Sequence, residues 1–368
     1  MRYGPIVIMK VKVCHVIGGI VGGGIEQVII NYCSMIETVD FDLLYQYEPN
    51  NACLTKLENA GVRCVRIPDK IKHPFRHCIA IYSFLKKGKY DAIHVHLDWF
   101  LSWIICIIAL LAGVKKRIIH HHQIYQERTV FHRIFFFVMQ KMNVLCSTYR
   151  LACSDGAAIN GFGRRVYKNG SVVIVQNAVN VGRFKFNPTE RNRIRNQYGI
   201  ATTDVCVGCI GRFCLQKNQL FLLNVFGGLF ESKANYVLML IGNGPDKEKI
   251  LEQIQKKKIK NRVLIIDLQD DISPFYSAMD AFCLPSRWEG LGMVLVEAQI
   301  NGLQCFASDK VPESVQISNN VKFLPIADAS IWTNAILNTE CFSRNNLFDA
   351  EKFDIDKCYK KLEKIYLE

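Results

Sequence analysis

Apolar residues in this chain gather in short, nearly continuous runs, separated by longer stretches with helical spacing. In the first half the runs are Val11–Ile17, Phe41–Tyr45, Val62–Ile67, Ala92–Val95, Arg117–His120, Arg150–Ala152 and Val172–Val175. The second half repeats the pattern at Val205–Ile210, Tyr236–Ile241, Val263–Ile266, Ala281–Leu284 and Gln304–Ala307. Runs of this length, without polar alternation, suit parallel strands covered by helices on both faces. Two such series predict an α/β chain of two Rossmann-like, doubly wound parallel-sheet domains facing a central cleft. The predicted domains are residues 1–183 and 184–350, joined near Asn180–Pro188, with residues 351–368 as a C-terminal helix packing back toward the first domain. The stretch Asn346–Glu368 as a whole reads as a polar-faced helix.

The longest apolar run, Trp99–Val114, has 16 residues. That is short of the roughly 20 needed to cross a bilayer, and its place between two strands predicts a buried helix. The opening MRYGPIVIMK is too short an apolar run for a signal peptide, and Met1 and Met9 both stand as possible starts. Fifteen cysteines are scattered singly, the pattern of reduced, buried thiols in a cytoplasmic protein. The Cys206-x-x-Cys209 spacing lies inside a predicted strand without a second pair or a His partner, so neither zinc nor redox chemistry is expected there.

Charge separates the halves. The net charge is +13; residues 1–180 hold 22 Lys and Arg against 11 Asp and Glu, and the remainder 24 against 22. All nine histidines also fall in the first half. A basic half beside a near-neutral one suggests that the first half meets an anionic surface or ligand. No nucleic-acid recognition motif accompanies the charge.

Candidate chemistry sits at predicted strand ends. The turn HVIGGIVGGGIEQ, after the first strand, brings glycines and a helix N-terminus to where a phosphate could bind, although its match to G-x-G-x-x-G is imperfect. In the second half, IGRFCLQKNQLFLL places Arg212 and Lys217 in a loop leading into a helix, two cations suited to a diphosphate that is first bound and then leaves. The run PSRWEGLGMVLVEAQINGL carries Glu289 in a Gly-rich turn and Glu297 in the helix after it, a spacing that puts both on one side. An acidic residue there is well placed for ribose hydroxyls.

Taken together, GRFCLQKN, LMLIGNGPDKEKI, FYSAMDAFCLPSRWEGLGMVLVEAQINGLQCFASD and VQNAVNVGRFKFNP resemble the retaining glycosyltransferases of the GT-B fold grouped as family four, and within them the bacterial capsular and exopolysaccharide transferases. The resemblance runs over nearly the whole chain. It implies an acceptor-binding first domain and a donor-binding second domain. It implies that Arg212 and Lys217 hold the donor diphosphate, that Glu297 binds ribose, and that Glu289 contacts the transferred sugar, supported by Gly290, Leu291 and Gly292. Gly23 and Gly24 would open the first domain toward the reaction centre; Gly242 and Leu268 belong to the donor site, Leu268 beside the base. The first-domain histidine on the acceptor side is His122 or, two residues earlier, His120. The chain departs from the family at Gln176, Asn177, Ala178 and Asn180, in the hinge, and at Gly292, where proline is common. Ser154 matches a family feature that helix capping also explains.

The resemblance implies retention of configuration, with the leaving phosphate taking the acceptor proton and domain closure excluding water. No cofactor is expected; the nucleotide sugar is a co-substrate, and UDP is the commoner nucleotide in such enzymes, with GDP left open. No metal is expected, because the D-x-D weighed, Asp354 and Asp356, falls in the terminal helix region rather than at a strand end. The implied partners are a lipid-linked glycan acceptor and the cytoplasmic face of the membrane, held peripherally. Two other readings remain: a nicotinamide-dependent oxidoreductase, which leaves the second-half motifs unexplained, and a non-catalytic sugar-nucleotide-binding protein, which their intact charges oppose.

Overall fold

The structure is a computed structural model that describes residues 10–97, 99–124, 129–232, 235–339, 342, 344 and 347–368. Met1, Met9 and Asn346 lie outside the described residues. The chain divides into two compact units, one formed by the chain up to Ala178 together with Asp354–Glu368, the other by Val179–Phe353.

The first unit is built on seven parallel strands: β1 (Val11–Val16), β2 (Val39–Tyr45), β3 (Val62–Arg66), β4 (Ala92–Val95), β5 (Lys116–His121), β6 (Tyr149–Ala152) and β7 (Val173–Ile174). Their order is β3-β2-β1-β4-β5-β6-β7. The second unit has six: β8 (Val205–Ile210), β9 (Tyr236–Ile241), β10 (Val263–Ile266), β11 (Ala281–Leu284), β12 (Gln304–Ser308) and β13 (Val321–Leu324), ordered β10-β9-β8-β11-β12-β13. β13 has no counterpart in the sequence reading. It is a short edge strand of four residues interrupted by Lys322, so its apolar signal is weak. In each sheet the order reverses once, between β1 and β4 and between β8 and β11. At these points the connections leave to opposite faces, and a ligand can approach the carboxyl ends of the strands.

The boundaries differ from those read in the sequence. The chain changes units at 178/179 and 353/354 rather than 183/184 and 350/351. Val179 N–H donates to the Phe353 carbonyl at 2.8 Å, so the two crossings are tied together. Residues 351–353 form a single 3₁₀ turn, and the terminal helix is Ile355–Leu367, capped by the Asp354 carboxylate. Its Ile355, Leu362, Ile365 and Tyr366 join Val13, Ile17, Phe41, Leu43, Ile118 and the helix Gly24–Cys33 in one buried cluster of the first unit.

The helix Trp99–Ala112 is buried along one face only. Ile105, Cys106 and Ala109 are inside, whereas Leu110 and Leu111 are 56% and 66% exposed. Among the described residues, no helix is long and apolar enough to cross a membrane. The described cysteines are all free thiols, and Cys341 lies outside the described residues. Burial pushes Cys206 and Cys209 up to about 12, which makes both poor nucleophiles and poor metal ligands.

Gly161 shows how tightly the first unit is packed. A Cβ there would sit 2.1 Å from Cδ2 of the buried His121 ring, which also packs edge-on to Phe162. Gly161→Ala is therefore expected to destabilise the chain by about 1–3 kcal/mol through overpacking, read as a lower Tm. An unchanged Tm would show that the His121 ring can move aside.

Candidate functional site

In the second unit, the loops after β8 and β11 flank the switch point. The first opens at Gly211, at φ +150°. Gly242, at the end of β9, packs against it: a Cβ there would lie 2.1 Å from the Gly211 carbonyl oxygen. Gly244 meets the Phe213 backbone in the same way, at 2.3 Å. Only glycine permits both the backbone angle and this approach.

Polar side chains join the two loops. Asn218 Nδ2 donates to the Pro285 carbonyl at 3.1 Å, Gln216 Nε2 to the Trp288 carbonyl at 3.1 Å, and Arg287 N–H to the Gln216 carbonyl at 2.7 Å. Between them, Lys217 Nζ meets Glu289 Oε1 at 2.6 Å, with the side chains 18% and 6% exposed. Ser286 Oγ donates to the same carboxylate oxygen at 2.6 Å. A charge this buried persists only when paired and hydrogen-bonded, so Lys217 and Glu289 hold one another in the loops. Arg212 is exposed, and among the described residues its guanidinium makes no ion pair.

Gly292, at φ +87°, turns the chain into the helix Met293–Ile300. Leu291 is buried at this turn. Glu297, inside the helix, accepts a hydrogen bond from Tyr276 OH at 2.6 Å. Burial raises its carboxyl to about 7, against the opposing effects of Tyr276, Arg183 and Lys217. Leu268 stands half exposed just beyond β10. Lys217 is thus the common neighbour: it pairs with Glu289 and its charge reaches Glu297. The sequence reading missed Ser286, Tyr276 and Arg183. Ser286, three residues before Glu289 in the same turn, was the one with a local signal.

In the first unit, the Gly-rich turn is occupied by its own side chain. Gly23 caps the helix Gly24–Cys33 without a side-chain bond, while Glu26, 3% exposed, accepts from Val21 N–H at 2.7 Å. A Cβ at Gly23 would lie 3.2 Å from Glu26 Oε2. This carboxylate stands where the turn would present amides to a phosphate.

The histidines converge. β1 pairs His15 with His94 of β4, and β4 pairs His94 with Ile118 of β5. Alternation along strands then puts His15, His94, His96, His120 and His122 on one face, the face covered by Tyr366. His122 Nε2 lies 2.8 Å from His96 Nδ1, and His96 Nε2 lies 2.9 Å from His15 Nδ1. His120 Nδ1 lies 3.3 Å from His94 Nε2, and His94 Nδ1 lies 2.6 Å from Tyr366 OH. Burial lowers His15 to about 3 and His122 to about 4, and drives His94, His96 and His120 well down. All five are neutral at pH 7. Of the two candidates, His120 is enclosed, while His122, just beyond β5, is partly exposed and has Asn177 beside it. The shared face of His15, His94 and His96 could have been read from strand parity, but only once strand order was known. Ser154 accepts from Ala157 N–H as a helix cap.

Residues 190–329 match the model of the family described as glycosyl transferases group 1. The chain carries a group 1 glycosyl transferase domain. Arg212, Lys217, Gly242, Leu268, Glu289, Gly290, Leu291, Gly292 and Glu297 all lie inside the matched span. Over 342 residues the chain is 29% identical to EpsF of Bacillus subtilis (strain 168), which carries the name of a glycosyltransferase, covering 90% of this chain and 88% of that one. It is 22% identical to the UDP-Gal:alpha-D-GlcNAc-diphosphoundecaprenol alpha-1,3-galactosyltransferase of Escherichia coli, covering 98% and 97%. Among solved structures it resembles Anabaena HepE in complex with UDP and glucose, at TM-score 0.81 and 16% identity over 96% of this chain and 98% of the other. The fold is GT-B.

The state of Glu297 gives a direct test of the second unit. The folded carboxyl keeps its proton to about pH 7, while an ordinary one loses it near 4.5. The folded chain therefore binds more protons within that window, and stability falls as pH rises through it. Glu297→Gln should match the parent near pH 4 and exceed it above pH 7, by on the order of 3 kcal/mol. Thermal melts across that range check the sign; a difference independent of pH would mean the carboxyl titrates normally.

Proposed function

We propose that this group 1 glycosyltransferase is a retaining, metal-independent hexosyltransferase. It would move a sugar from a nucleoside-diphosphate sugar, UDP first among the candidates, to a lipid-linked glycan during capsular, exopolysaccharide or lipopolysaccharide assembly. The observation that carries the reading is the buried Lys217–Glu289 pair at the second-unit switch point, with the exposed Arg212 beside it and Glu297 within reach of its charge.

In this reading Arg212 and Lys217 hold the diphosphate and stabilise the charge that gathers on it as the glycosidic bond breaks. Glu289, already fixed by Lys217 and Ser286, accepts hydrogen bonds from the sugar hydroxyls. Glu297 accepts from the ribose hydroxyls, supported by Tyr276. Gly290, Leu291 and Gly292 offer backbone amides, Gly211 and Gly242 keep the loops open to the donor, and Leu268 lies at the base. In the first unit, Gly23 and Gly24 belong to the acceptor side, and a Cβ at Gly24 would meet nothing within 4 Å. A neutral His122 can accept a hydrogen bond from the acceptor, with His120 behind it.

Retention rests on the resemblance. Metal independence is supported by how the acidic pairs are used. Asp354 caps the terminal helix. A second D-x-D, Asp40 and Asp42 of β2, which the sequence reading passed over, stands at the amino end of its strand. Asp42 there accepts two bonds from Arg63, at 2.8 and 2.5 Å. A nicotinamide-dependent reading is disfavoured by Glu26, which fills the turn a dinucleotide phosphate would need.

In this reading the acceptor side meets an anionic bilayer surface. The first half is strongly basic. The helices Pro74–Gly88, Trp99–Ala112 and Val130–Cys146 pack side by side and expose Phe75, Ile79, Leu111, Phe131, Ile134 and Phe137. Apolar side chains among cations suit a headgroup interface.

Calorimetry with UDP, GDP and NADH in the absence of metal tests the donor site. A diphosphate is expected to bind, Arg212→Ala to weaken it at least about tenfold, and the Arg212→Ala, Lys217→Ala pair to abolish it. Lys217→Ala also strands the Glu289 carboxylate, so the exposed Arg212→Ala is the variant whose fold stays intact. Binding of NADH and neither diphosphate would end the transferase reading. On the membrane side, sedimentation with anionic vesicles is expected to fall with salt and with Phe131→Ser plus Phe137→Ser; binding indifferent to both would remove the bilayer from the proposal.

A further inference from the structure

The histidine face of the first unit holds more rings than acceptor handling needs. Two trios there, His15 with His94 and His96, and His96 with His120 and His122, each bring one nitrogen per residue within 4.8 Å of the others. They share His96. We propose that His96, His120 and His122 form a binding site for a divalent transition metal, zinc foremost, and that the ion switches the enzyme off by taking His122.

The placement of the rings distinguishes this trio from the other. His120 lies in β5 and His122 just beyond its end, two residues apart on the same face, and His96 follows the end of β4, the adjacent strand. Two imidazoles from one strand and a third from its neighbour converge on a single point above the sheet. Three imidazoles with a fourth position open is a known donor set for zinc. The second nitrogen of each ring is already engaged or flanked: His96 Nε2 by His15, His120 Nδ1 by His94, and His122 by the Asn177 side chain. Behind them, Tyr366 OH meets His94 Nδ1, and Cys33 Sγ lies 3.8 Å from His15 Nε2. Such outer contacts set the orientation and tautomer of metal-binding histidines.

By elimination, His96 Nδ1, His120 Nε2 and His122 Nε2 face the ion. Of these, His120 Nε2 is a buried atom that completes no hydrogen bond among the described residues. Zinc–nitrogen bonds of about 2.0–2.1 Å in a tetrahedron separate ligand nitrogens by about 3.3 Å. His96 Nδ1 and His122 Nε2, at 2.8 Å, would part by about half an ångström to admit one. His122 is partly exposed and gives the ion a way in; His15 and His94 are each about 1% exposed, and their trio has no such opening.

The binding claim stands on the rings alone, while the inhibition claim rests on the proposed role of His122. Cobalt(II) titration of the full chain, followed by its visible d–d absorption, should give one tetrahedral site, displaced by zinc and stripped by a chelator. His96→Gln, His120→Gln and His122→Gln should each weaken it at least about tenfold, with His15→Gln leaving a bound ion. Melting each variant in chelator shows that it is folded. Absence of a cobalt spectrum in the parent overturns the site. Loss in His15→Gln with retention in His122→Gln moves the ion to the inner trio and overturns the assignment. Zinc should also suppress sugar transfer in the parent but not in His96→Gln. Metal binding without inhibition upholds the site and overturns the part given to His122 in transfer.

Discussion

The Lys217–Glu289 ion pair is the constraint around which the second unit's site is arranged. Neither charge could remain in so enclosed a place without the other, and their contact fixes two loops that are over seventy residues apart in the chain. The amide bonds from Gln216 and Asn218 close the same seam. Gly211 and Gly242 make it possible, since any side chain at Gly242 would drive the β8 and β9 loops apart. Glu297 depends on the pair at one remove: among the described residues it is buried without an ion-pair partner of its own, and the Lys217 charge partly offsets that burial. Two carboxylates eight residues apart therefore have different characters. One is paired with a lysine at contact distance, and the other sits near its point of protonation under a tyrosine hydroxyl.

The first unit uses the opposite device. Its buried polar face has neutral imidazoles in place of charges. Each ring can both donate and accept, so a row of them satisfies itself by handing one proton position along from ring to ring. Desolvation is then tolerable, because no ion is buried. The outermost ring, His122, is partly exposed at the end of such a row, and its tautomer is set by its neighbours. The same arrangement gathers several imidazole nitrogens within 4.8 Å of one another, close enough for a borderline cation to replace the shared protons.

Much of the fold was legible in the chain. Continuous apolar runs identified twelve of the thirteen strands among the described residues, because a parallel strand buried on both faces has no polar alternation to hide it. β13 escaped because an edge strand is buried on one side and tolerates Lys322. The chain passes between the two compact units at 178/179 and 353/354, where a backbone hydrogen bond joins Val179 to Phe353, a pairing that composition does not reveal. The run Trp99–Val114 reads as a buried helix from its length and its place between two strands; the exposed Leu110 and Leu111 show that neither says which way each side chain points.

The sequence by itself determined the α/β class, the two series of strands, the basic first half and the residue types gathered at the second unit's strand ends. These follow from short-range periodicity and from local turn chemistry, which the order of residues carries directly. Only the tertiary structure decided that Lys217 is paired with Glu289 rather than free, that Glu26 fills the first glycine turn, and that five histidines from three strands share one face. Each of those depends on which strands are neighbours, and in a doubly wound sheet neighbours in space are not neighbours in sequence.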